Sequence, residues 1–272
     1  MSLAAKLPYD HPYAGGYPGL SSQALPTDAD ALGYLARVKA ADGAGVETGV
    51  AVAVDAFFRD TKAAGVFSAL KACCILAGAR TLAGALVPVV GDAPTPNGFV
   101  SGDYSRTDGL GDPDGTSYLN SNRDNNADGQ NDQHLAVFAT SPSSDGKVLA
   151  GRGTFTDATT IFRVAGNTTL YFRNRSGSSG GIADAGTSTG LYGSSRNAAE
   201  QFFVRANKDT QTALVASTGA ISGDVYIFDS NGYGAGVETD ATIAFYSIGT
   251  SLSLEDLDTA VSDLITAIGE AL

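Results

Sequence analysis

Carboxylates dominate the reactive side chains of this sequence, with 29 Asp and Glu against 17 Lys and Arg, two histidines and two cysteines. A glycoside hydrolase working from a β-strand carries closely spaced acids, as in Glu-x-Asp-x-x-Glu, one serving as nucleophile and the other as general acid. Glu47, Glu200, Glu238, Glu255 and Glu270 show no such spacing. Aspartates meeting from separate loops are the remaining route to hydrolysis, and the expectation is a protein that is not an enzyme. His11 and His134 are too few for a histidine-dependent triad or a zinc site, and His134 reads as a strand-edge residue. The glycine-rich run at 177–181 lacks the lysine of a phosphate-binding loop.

Two constellations retain chemistry. Asp124-x-Asn126-x-Asp128-Gly129 matches the front of a calcium loop, where alternate oxygen ligands precede a turning glycine. Leu135 stands where the closing bidentate glutamate would be, so the segment is either a partial calcium site or a loop of Asx turns, and no cofactor is expected. Tyr192 with Arg196, and Asp229 with Asn231 and Tyr233, combine aromatic faces for sugar stacking with groups that hydrogen-bond hydroxyls. They read either as glycan contacts at loop tips or as ordinary strand ends.

Three regions would position these groups. Residues 1–26 are rich in Pro, Gly and Tyr and have no helical or strand period, so they cannot bury a core of their own. Tyr9, Tyr13 and Tyr17 there read either as anchors of an extended arm on a neighbouring subunit or as part of a disordered tail. Residues 27–80 predict three short helices. Thr27 or Asp28 caps a stripe of Leu32, Leu35 and Val38, and Val46, Val50, Val54, Phe57 and Phe58 form a second stripe with Asp55 outside. Val66, Leu70, Cys73, Cys74 and Ala77 suggest the third. The unit reads as a docking module or as a helical cover packed on the C-terminal part of the chain. Residues 81–272 switch to strand-like segments at 82–90, 134–140, 159–164, 168–173, 201–206, 224–229 and 241–248, separated by Asp-Gly and Asn-Gly turns. An antiparallel sandwich or jelly roll is the consequence, closed by a helix that Ser253 and Asp256 start.

The net charge of −12 repels phosphate backbones and anionic lipid, so nucleic acid is a poor partner. Adjacent Cys73 and Cys74 staple no loop. Lys6 is followed by Pro8, Tyr9 and His11 and not by an apolar run, so no secretory leader is expected. The apolar stretch at 75–90 is broken by Gly78, Arg80, Gly84 and Pro88, too often for a membrane span of ~20 residues.

Residues 74–88 (Cys-Ile-Leu-Ala-Gly-Ala-Arg-Thr-Leu-Ala-Gly-Ala-Leu-Val-Pro) lead into Phe99-Val100-Ser101-Gly102-Asp103-Tyr104. With Tyr118-Leu119-Asn120-Ser121-Asn122-Arg123 and Ala244-Phe245-Tyr246-Ser247-Ile248-Gly249, they resemble a family of virion structural proteins of tailed phages and prophages. That family is similar to laminin-G and concanavalin A-like sandwiches, and residues 224–229, 241–249 and 252–257 resemble the last strands and trailing helix of such domains. The resemblance spans roughly residues 30–272. It implies a mainly β fold, a concanavalin A-like antiparallel β-sandwich with an N-terminal helical segment and a C-terminal helix. It further implies a structural component of a phage or phage-like particle, made in the host cytoplasm and placed in the virion as head decoration, head spike or tail fibre. Its partners would be capsid or tail proteins. A host-surface glycan adhesin is the alternative, and a polysaccharide depolymerase the third reading. Sites related by rotation axes call for closed cyclic assembly, so a homo-oligomer, specifically a trimer, is expected.

Overall fold

A computed structural model describes residues 25–112, 114–154, 157–183, 185–233 and 236–272. Tyr9, Tyr13 and Tyr17 of the expected arm lie outside the described residues. Helix α1 (Ala29–Asp42) begins at Asp28, whose carboxylate accepts the Asp30 and Ala31 amides, and ends at Gly43, where φ is 74°. Its buried stripe is Ala31, Tyr34 and Val38, whereas Leu32, expected on that stripe, is 47% exposed. Helix α2 (Thr48–Ala63) buries Val50, Val54, Phe57 and Phe58 as its period demands. Asp55, expected outside, is buried, because one oxygen accepts the Thr27 and Asp28 amides at 2.7 Å and the other holds Arg59 at 2.9 Å.

The third helix does not form. Leu70–Ile75 is a strand paired with Thr242–Gly249 on one side and Pro88–Val90 on the other, so the sandwich begins at Leu70 rather than at residue 81. A strand covered on both faces is apolar throughout, and a short continuous apolar run does not distinguish strand from buried helix. Cys73 and Cys74 therefore point to opposite faces, one toward the helices and one into the space between the sheets, both as free thiols. The strand expected over 82–90 divides into a single turn, α3 (Leu82–Ala85), capped by Thr81, and the short Pro88–Val90 strand.

The fold is mainly β, two antiparallel sheets packed as a sandwich, with N-terminal helices and a C-terminal helix. Among the described residues, the first sheet orders Asp209–Ala213, Phe202–Ala206, Gly190–Arg196, Gln133–Ser141, Thr242–Gly249, Leu70–Ile75 and Pro88–Val90, with Gly109–Gly111 and Tyr104–Ser105 beside Thr242–Gly249. The second orders Gly180–Ile182, Leu170–Ser176, Ala158–Arg163, Val148–Arg152, Asp224–Ile227, Tyr118–Asp124 and Thr95–Asn97. Phe172, Phe202, Phe228, Tyr246, Ile161 and Val137 fill the space between them. The outer face of the first sheet is sealed by α1, α2 and the closing helix α4 (Leu254–Ala271), whose Leu257, Val261, Leu264 and Ile268 pack with Phe57, Phe138 and Phe245. Phe57 meets Phe245 edge-to-face at 5.8 Å. Ser253 starts α4 by accepting the Asp256 amide. Among the described residues, no helix is long and apolar enough to cross a membrane.

Candidate functional site

Alternation along the second sheet turns Leu119, Ser121, Val225 and Ile227 inward and leaves Tyr118, Asn120, Asn122, Asp224 and Tyr226 partly or fully exposed on its outer face. Among the described residues, no helix packs there. Tyr118 and Tyr226 lie diagonally across adjacent strands and stack, with ring centroids 4.5 Å apart and planes 20° from parallel. Asn120 donates its amide to Asp224 Oδ2 at 3.0 Å, and Asn122 donates to the Ala93 carbonyl and to Thr95 Oγ1. The strip thus joins two half-exposed rings to amides and a carboxylate already oriented by mutual hydrogen bonds. Partial burial, then the neighbouring Tyr118, raises the Tyr226 phenol above its ordinary pKa, so it stays a neutral donor.

After Ile227 the chain reverses through Phe228, held at φ 73°, and residues 230–231 return beside Val148–Arg152. This return brings Asn231 to the edge of the strip and carries Asp229 and Tyr233 with it in the same loop. Asn231 donates to the Asp224 carbonyl at 2.9 Å. Tyr233 donates to the Thr154 carbonyl at 3.0 Å and accepts from Arg173 at 3.3 Å. The Arg173 guanidinium also lies 4.6 Å over the Phe162 ring, which stacks on Tyr171. Asp229 is the unusual member. Burial pushes its carboxyl up to about 6, the Ser230 amide opposes that shift, and the charge of Glu238 adds to it. The same loop returns Glu238 near Asp229, but Glu238 is itself buried and accepts the Gly236 amide at 2.6 Å. Two carboxylates at the ends of one loop were legible only as residues nine apart, a spacing that no strand-borne acid pair uses.

The remaining predicted residues lie elsewhere. Tyr192 and Arg196 are not at a loop tip. Both are buried, Tyr192 between the sheets with its hydroxyl donating to the Ser188 carbonyl, so neither offers a surface to a ligand. Arg196 donates to the carbonyls of Asn174, Ala198, Ala199, Gln201 and Val215 at 2.8–3.1 Å and so ties the strand Leu170–Ser176 to two loops. Burial pulls its pKa down to about 10. Arg175, at φ 49°, plays the same part for the carbonyls of Asn125, Asp128 and Gly129. Fully buried arginines held by carbonyls are uncommon, and nothing in a single sequence marks them.

Asp124, Asn126 and Asp128 do not converge. The Asp124 carboxylate accepts the Asn126 and Gly223 amides and the Ser222 hydroxyl, while Asp128 pairs with Arg123 at 2.6 Å. Asp124 Oδ1 closes an Asx turn on the Asn126 amide, and the described residues contain no group of three or more His, Cys, Asp or Glu placed to hold a metal. His134, expected at a strand edge, is fully buried in the middle of the first sheet. Its Nδ1 donates to the Thr250 carbonyl at 2.6 Å and Nε2 accepts from Ser247, and burial lowers its pKa to about 4.

No protein-family model matches the sequence, and no curated protein matches it. Among solved structures the chain is similar to a botulinum neurotoxin serotype D binding domain, 10% identical over 72% of this chain and 51% of that one, with a TM-score of 0.45. It is also similar to a Trypanosoma rangeli sialidase mutant displaying trans-sialidase activity, 13% identical over 78% of this chain and 39% of the other, with a TM-score of 0.42. An α-L-arabinofuranosidase is similar at 11% identity over 59% and 44%, with a TM-score of 0.36. The chain spans about half or less of the length of these structures. Such likenesses concern the fold alone.

Proposed function

We propose that this chain is a non-catalytic structural component of a phage or phage-like virion, presenting the open face of its second sheet to host-surface carbohydrate. The observation that carries the recognition half is the Tyr118–Tyr226 pair flanked by Asn120, Asp224 and Asn231 on a sheet face that no described helix covers. Half-exposed aromatic faces stack on the apolar side of a sugar, and preset amides and carboxylates bond its hydroxyls. The virion half is supported by the sequence resemblance at residues 74–88, 99–104, 118–123 and 244–249. The non-catalytic role is supported by the burial of both Asp229 and Glu238, since a general acid must reach the bond it cleaves. Copies are proposed to assemble as a trimer on rotationally symmetric positions, joined to capsid or tail proteins.

The test combines three measurements. Labelled antibody or mass spectrometry of purified particles should find the protein in the virion, in copy number matching a symmetric site. Solution mass should be three times that of the chain. A glycan array should show a set of ligands whose binding Tyr226→Ala abolishes at unchanged fold. Absence from particles overturns the virion role, and equal array binding by the variant overturns the assigned face.

A further inference from the structure

We infer that the cleft between α4 and the edge strands Phe202–Ala206 and Asp209–Ala213 binds a neutral oligosaccharide, on the side of the sandwich opposite the Tyr118–Tyr226 strip. Helix α4 seals the first sheet only as far as its outer strands. Beyond the helix, strand alternation sends Phe202 and Val204 into the core and leaves Phe203 half-exposed on the outer side. The result is a cleft of about 430 Å³ lined by Asn197, Phe203, Thr210, Leu252, Ser253 and Glu255. A second depression of about 210 Å³ lies further along α4, beside Asp258, Ser262 and Lys208. The Arg205–Asp258 ion pair, closed at 2.7 Å and nearly buried, connects them, because Arg205 also donates to Thr210 Oγ1 at 2.7 Å. Two depressions joined by an internally neutralised floor suit a linear chain rather than a single compact ligand.

The lining chemistry selects the class. Phe203 and Leu252 offer an apolar surface for the C–H face of a pyranose. The exposed Asn197 amide makes no hydrogen bond with any described residue, so it is free to donate and accept. The exposed Glu255 carboxylate can accept two hydroxyls. Glu255 also repels carboxylated or sulfated sugars, as does the net charge of −12, so the chain taken up is neutral. This inference shares with the proposed function the premise that the protein recognises carbohydrate, but it does not depend on the Tyr118–Tyr226 strip.

The experiment is calorimetric titration of the full chain with neutral and with uronic-acid oligosaccharides, in wild type, in Tyr226→Ala, and in Tyr226→Ala combined with each of Asn197→Ala, Phe203→Ala and Glu255→Gln. Neutral binding should persist in Tyr226→Ala and, in that background, weaken by about ten-fold or more on adding Asn197→Ala, Phe203→Ala or Glu255→Gln, with Asn197→Ala keeping the parent melting temperature. If Phe203→Ala fails to fold, the exposed Asn197→Ala and Glu255→Gln carry the test. Complete loss of binding in Tyr226→Ala, or undiminished binding in the cleft variants, overturns this site while leaving the proposed function intact. Preference for uronic-acid chains overturns the neutral class. Failure of the wild type to bind any oligosaccharide overturns both.

Discussion

The two sheets of this sandwich have outer faces of opposite character. The first buries Phe138, Phe245, Leu191 and Cys73 under α1, α2 and α4, in a second core beside the one between the sheets. The second leaves Tyr118, Tyr226, Asn120 and Asp224 without a helical cover. Both faces are built by the same alternation, so the difference lies in the chemistry of the outward residues. Aliphatic and phenyl groups have no use for water and need a third layer. Tyrosines, amides and carboxylates satisfy one another and remain presentable to a ligand.

Removing Phe57, which is 2% exposed and packed on Phe245, should open the sealed face at the largest cost. Phe57→Ala is expected to lose about 3–5 kcal/mol in denaturant unfolding. A loss below about 1 kcal/mol would mean that the helices are a loose cover and the two faces are not so different.

Next comes the tie between α4 and the sheet. Asp258→Ala strands the nearly buried Arg205 without its carboxylate and should cost about 3 kcal/mol, and reversal by a second change, Arg205→Met, would confirm the stranded charge as the cause. If the double variant is no more stable than the single one, the pair is not what holds the edge strands to α4.

Asp229 sharpens the contrast through pH. Its folded pKa, raised to about 6, lies above the unfolded carboxylate range, so the folded state binds more protons than the unfolded chain between about pH 4 and 6. Ionisation therefore lowers stability as pH rises through this window. Asp229→Asn should stabilise the protein on the order of 2 kcal/mol at about pH 7, with the gain vanishing near about pH 4. His134, depressed to about 4, contributes the opposite slope, because the unfolded chain takes up its proton first as pH falls. The difference between wild type and variant cancels His134 and isolates Asp229. A gain independent of pH would refute the assigned titration.

The smallest stability effect is expected on the open face. Tyr226→Ala breaks one cross-strand ring pair and should cost about 1 kcal/mol by the same unfolding assay, far less than Phe57→Ala. A larger loss would show that the tyrosines are structural cement.

Much of this architecture was legible in the sequence. Alternation at 159–164 and 168–173 foretold strands that the structure pairs with each other, and the Ser253 cap foretold α4. What the sequence concealed has physical reasons. Residues 72–75 are apolar on both faces, and Lys71 alone in the Leu70–Ile75 strand is exposed, so its period of two is erased. Tyr192 and Tyr226 both sit on strands, but only the pairing of the sheets decides that one ring is buried and the other is half-exposed. Of the proposed glycan residues, Asn231 bonds the Asp224 carbonyl beside the strip and Tyr233 bonds Thr154 and Arg173, while Asp229 is buried. The strip's centre, Tyr118 with Tyr226, was missed because diagonal neighbours from strands about a hundred residues apart leave no local spacing.

The central claim is that carbohydrate is recognised on the uncovered sheet, and hydrogen exchange with and without a bound array-selected glycan tests it most directly. Protection should appear in Tyr118–Asp124 and Asp224–Ile227 and be lost in Tyr226→Ala, while α1 and α2 exchange at the same rate in both states. A footprint that leaves those two strands unchanged would contradict the claim.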